Sequence, residues 1–104
     1  MIKKTFEKVD ECVFYEKLSN GIDVVFIPKK TNKKYIIWGI NYGSINNKFI
    51  SNGKEIVIPD GSAHYLEHKL FEQENGTNSL DVLSNLGVDA NAYTTNNHTA
   101  YLFE

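Results

Sequence analysis

Arginine is absent from this 104-residue chain, and all eleven of its basic side chains are lysine. The fork-shaped donor best suited to bidentate recognition of phosphate or guanine is therefore missing. Thirteen acidic residues bring the formal charge to -2, so no concentrated basic face exists to displace counterions, and nucleic-acid binding is excluded as a function class. Paired lysines at 3 and 4, 29 and 30, and 33 and 34 read as solvated turn residues. A single cysteine, Cys12, rules out a disulfide framework within the chain and fits a reducing compartment. Its neighbours Val13 and Phe14 imply a packed thiol in a strand rather than a nucleophile. No apolar stretch approaches the ~18 residues of a membrane span. The N-terminus MIKKTFEKVDE lacks the apolar centre of a signal peptide, so a cytoplasmic location with no membrane partner is expected. Internal repeats and low-complexity linkers are also missing.

What remains is an ordinary soluble composition, 41% hydrophobic and 23% charged, which fits one globular domain or part of one. A chain this long hides roughly two-thirds of its unfolded surface, enough for one core but not for a two-lobed enzyme. Residues 11–18 and 22–28 form β-branched and aromatic runs joined at Asn20 and Gly21, the signature of a tight hairpin. The run YIIWGINY at 35–42 predicts a central strand covered on both faces, with Trp38 in the core. A second hairpin is expected at Asn52 and Gly53, ending at Pro59, Asp60 and Gly61. Ser62 can cap a helix over 63–74, with Gly76 as its left-handed stop. Another helix follows Asn78, carries Leu80, Val82, Leu83 and Leu86 on one side, and ends at Gly87. Strands at 91–95 and 99–103 complete an α+β layer: a largely antiparallel sheet with two helices packed on one face.

Chemistry concentrates in one pentapeptide. His64, Glu67 and His68 form H-x-x-E-H at the start of the first predicted helix. At about 100° per residue the three fall within an arc of about 100°, while Ala63, Leu66 and Leu70 form a separate apolar stripe that would anchor the helix to the sheet. Phe71, one turn on, either excludes water from that arc or packs in the core. Imidazoles at i and i+4 can each reach a zinc ion at about 2.0 to 2.1 Å. A carboxylate one residue before the second imidazole can take a proton from water that the ion acidifies, which is the chemistry of metal-assisted amide hydrolysis. The same residues also suit two surface histidines bonded to neighbouring carboxylates.

Two longer runs, GSAHYLEHKLFE and GVDANAYTTNNHTAYLFE, resemble together the pitrilysin or insulinase family of zinc peptidases, the inverzincins, in which the H-E-x-x-H order is reversed. The resemblance extends from residue 22 to residue 103, and PDGSAHYLEHKLFE is most similar to a bacterial, cytoplasmic branch. It implies a metalloendopeptidase with zinc as cofactor, His64 and His68 as metal ligands and Glu67 as general base. It also implies that a peptide substrate adds as an extra strand beside the site, with Asn91 and Ala92 holding its backbone. His98, at a turn tip, reads as a solvated loop residue.

The chain also departs from that pattern. The family's third metal ligand, a glutamate seventy to eighty residues beyond the second histidine, would fall near position 140, past the last residue, and helix geometry disfavours Glu72 as a substitute. Residues 1–104 therefore read as an N-terminal portion of the first pitrilysin-like domain, lacking the homologous second half or subunit that closes a substrate chamber. Weak zinc binding and little or no activity are expected of the chain alone. The alternative reading is a non-catalytic metal-binding or partner-pairing module that associates through its sheet edges.

Overall fold

Asn20 and Gly21 turn the chain where their backbone preferences require it. Gly21 has φ +90°, the Asn20 side chain accepts the Ile22 N–H at 3.2 Å, and Leu18 N–H meets the Ile22 carbonyl at 2.8 Å. The hairpin joins β2 (Glu11–Lys17) to β3 (Asp23–Phe26). The computed structural model describes every residue, Met1–Glu104, and divides into units Met1–Asn32 and Lys33–Glu104. In the first unit the hairpin gains a strand that the sequence reading missed, β1 (Ile2–Phe6), antiparallel to β2 with Lys4 opposite Val13. Val13 is its buried residue, Cys12 is half-buried, and Lys29 pairs with Glu11.

The second unit carries β4 (Ile36–Ile40), β5 (Lys48–Ser51), β6 (Lys54–Val57), α1 (Ser62–Lys69), α2 (Ser79–Asn85), β7 (Ala90–Thr94) and β8 (Thr99–Phe103). The α+β expectation holds, but the antiparallel strands form three small sheets rather than one: β1-β2-β3, β4-β8-β7 and the hairpin β5-β6. That hairpin turns at Asn52 and Gly53, both at positive φ as a type I′ turn demands. Both helices lie against β7, and α1 also reaches β8. Along β7 the residues Ala90, Ala92 and Thr94 are half-buried while Asn91 and Tyr93 are exposed, the period of two expected of a strand covered on one face.

Two expectations fail at β4. The run predicted to be a central strand is an edge strand exposed along its whole length, and Trp38 is 50% exposed rather than core. The helices cover β7 and β8, leaving beside β4 an apolar groove of about 420 Å³ lined by Ile36, Trp38, Ile40, Leu70, Leu83 and Tyr101.

Helix ends depart from expectation in instructive ways. Gly61, at φ +83°, takes the N-cap position of α1; Ser62 is already helical and its hydroxyl donates to the Pro59 carbonyl at 2.6 Å. The helix stops at Lys69 rather than residue 74, because Glu72 and Asn78 form an antiparallel bridge, closed by Gln73 N–H to Thr77 O at 2.9 Å. Gly76 is left-handed inside that turn, not at the helix end. The second helix follows its signals closely. Asn78 caps it by accepting the Leu80 N–H at 2.8 Å. Beyond its end Gly87 N–H meets Ser84 O and Val88 N–H meets Leu83 O, both at 2.9 Å, the bonding of a Schellman motif. Of its expected apolar side, Leu80 and Leu83 are half-buried while Val82 and Leu86 are exposed. No helix is long and apolar enough to cross a membrane.

Candidate functional site

Ala63, Glu67 and Phe71 are the buried residues of the α1 segment, at 4%, 6% and 8% exposure. Spaced by four, they form one stripe toward the sheet, and the Phe71 ring meets that of Tyr101 at 5.7 Å. Phe71 is thus a core residue. Leu66 and Leu70, expected to anchor the helix, are 48% and 54% exposed. Glu67 therefore lies within the packed face, and the site face and core face overlap at this residue. Tyr65 and Lys69 occupy the solvent side, with Lys69 bound to Glu72 at 2.6 Å.

His64 and His68 are exposed and turn their Nε2 atoms toward each other at 2.9 Å, with ring centroids 4.7 Å apart. One turn of helix thus aims two nitrogen donors at one point. Tetrahedral zinc at about 2.0 to 2.1 Å from each would space them at about 3.3 Å, so the rings need open only by a few tenths of an ångström. Neutral imidazoles present the required lone pairs. The two-histidine donor set fits a metal, but nowhere do three or more His, Cys, Asp or Glu side chains converge as a complete centre.

Glu67 is held from across the layer. Thr94 Oγ1 donates to Glu67 Oε2 at 2.7 Å, and the carboxylate's charge reaches Tyr101. Burial first, and that charge second, push the Tyr101 phenol above its ordinary pKa. Thr94 escaped the sequence reading. The available signal was the alternation of Ala90, Ala92 and Thr94, which puts a lone hydroxyl among small residues on the helix-facing side.

Asn91 and Ala92 lie on β7, the edge strand opposite β4. Asp89 and Glu104 exchange both backbone hydrogen bonds, at 2.9 and 2.8 Å, and Thr95 N–H meets His98 O at 2.8 Å. Antiparallel alternation then directs the backbone groups of Ala90, Ala92 and Thr94 away from β8 toward the open edge. The Asn91 side chain curls onto that edge and accepts the Ala92 N–H at 2.9 Å. His98 is a loop residue, bonded through Nδ1 to Thr95 and Asn97.

No family model matches the sequence. The chain is 48% identical over 101 residues to the uncharacterized zinc protease YmfH of Bacillus subtilis, covering 94% of this chain and 23% of that protein. Its fold matches a crystal structure described as an M16-like peptidase from Alicyclobacillus acidocaldarius at a TM-score of 0.78 and 34% identity, covering 89% of this chain and 22% of that one. The chain thus spans less than a quarter of the length of either relative. Sequence and fold agree: the chain is similar to one portion of a zinc protease and to one portion of an M16-like peptidase.

Proposed function

We propose that this chain is the portion of a cytoplasmic zinc metalloendopeptidase's first domain that supplies two metal ligands, the general base and the strand that receives the substrate. The observation carrying the reading is the convergence of the His64 and His68 Nε2 atoms on a helix whose buried Glu67, one residue before His68, has its carboxylate bonded by Thr94. A relative described as a zinc protease supports the choice of metal.

His64 and His68 would hold zinc through Nε2, and the ion supplies the Lewis acidity that activates water and polarises a peptide carbonyl. Glu67 has one oxygen engaged by Thr94 and retains acceptor capacity for a proton from the attacking water, which it then delivers to the departing amine. A peptide pairing with the open edge of β7 would use the outward carbonyl of Ala92, and its N–H once the Asn91 side chain releases it. A third ligand must come from outside residues 1–104, so the isolated chain binds zinc weakly and turns over little peptide.

The test is Glu67→Gln in the longer protein that contains this segment. Zinc content stays at the wild-type level and peptide hydrolysis is lost; retained turnover removes Glu67 from its role, whereas no turnover by the wild-type protein favours the non-catalytic module.

A further inference from the structure

We infer that Thr94 is a positioning residue: its hydroxyl sets the orientation of the Glu67 carboxylate, and its backbone ties that orientation to the strand edge on which a peptide would lie. The inference rests on the reading of Glu67 as base. An ionised carboxylate only accepts hydrogen bonds, so the proton in the 2.7 Å contact belongs to Thr94. A neighbouring hydroxyl keeps that proton free. Thr99 Oγ1 donates to the Tyr42 carbonyl at 2.8 Å, and its 3.5 Å approach to Thr94 Oγ1 is at the limit of a hydrogen bond. Thr99 is thus committed elsewhere and does not compete for Glu67.

The position of Thr94 adds a second link. It ends β7 opposite Thr99, in the pairing whose backbone groups face the open edge rather than β8. One residue therefore directs its side chain to the proposed base and its main chain to the proposed peptide path. Branching at Cβ restricts χ1, so the hydroxyl is held without needing further contacts. A peptide aligned on β7 would be placed in register with the carboxylate through this residue.

The test compares Thr94→Val, which keeps the shape and removes the donor, with Thr94→Ser, which restores it. In the zinc-loaded longer protein, valine lowers kcat by about tenfold to hundredfold with KM changed less than about threefold, and serine recovers most of the loss. An unchanged kcat in the valine variant, or a loss that serine does not recover, overturns the assignment. A metal-free readout separates this inference from the reading beneath it. A double-mutant cycle of Thr94→Val and Glu67→Leu, which removes the acceptor oxygens, on melting temperature gives a non-additive result if the two groups are bonded, and additivity overturns the contact. If Glu67→Gln keeps full turnover while the cycle is non-additive, the base reading fails and Thr94 is left as a purely structural partner.

Discussion

Tyr101 and Glu67 are both buried where β8 meets α1, and the carboxylate's charge acts on the phenol. Burial is the larger cause and the charge the smaller, and both favour the neutral phenol. Tyr101 is therefore expected to titrate above the ordinary 10.0 in an ultraviolet difference titration, with Glu67→Gln moving it only part of the way back. The sign for stability follows from the folded state binding this proton more tightly than the unfolded chain. The contribution is fully present below the unfolded value and is lost as pH rises through the folded one. A Tyr101 that ionises at or below the ordinary value would contradict this packing.

A Cβ added at Gly43 would stand 2.5 Å from the Thr95 carbonyl oxygen and from backbone atoms of Asn96 and Asn97. The loop after β4 is bonded to this turn through Ser44 N–H to Thr95 O and Ile45 N–H to Asn96 O, both at 3.0 Å, so neither side yields easily. Gly43→Ala should cost roughly 1 to 3 kcal/mol, read as a lower urea midpoint with an unchanged slope. An unchanged midpoint would show that the loops are not held together in solution.

Two aromatic residues make opposite predictions. Phe71 is buried against Tyr101, so Phe71→Ala should destabilise by about 3 kcal/mol. Trp38 is half-exposed on the edge strand, so Trp38→Lys should change the stability of the 104-residue chain by less than about 0.5 kcal/mol. Urea unfolding of both variants checks the pair, and a large loss for Trp38→Lys would place β4 inside a core.

Much of this fold was legible in short-range chemistry. The glycines at 21, 53 and 87 sit where positive φ is needed, and Asn78 caps its helix as its type predicts. The pairing of His64 with His68 followed from helical spacing alone, since four residues bring side chains to the same face. What failed depended on neighbours that no local pattern names. An apolar run such as YIIWGINY shows that a strand suits burial but not which element covers it, and so β4 was misplaced at the centre of a sheet. Eight residues of α1 are too few for periodicity to separate a Leu66 and Leu70 stripe from one of Ala63, Glu67 and Phe71. The Thr94 contact joins residues 27 apart in sequence, a separation that no local pattern spans.

The account depends on His64 and His68 binding one metal ion through the nitrogens that now face each other. X-ray absorption at the zinc edge, together with a crystal structure of the zinc-loaded longer protein, measures this directly. The ion is expected about 2.0 to 2.1 Å from Nε2 of both histidines, with Glu67 outside the inner coordination and still bonded to Thr94. Zinc bound elsewhere, or to only one of the two imidazoles, would contradict the account.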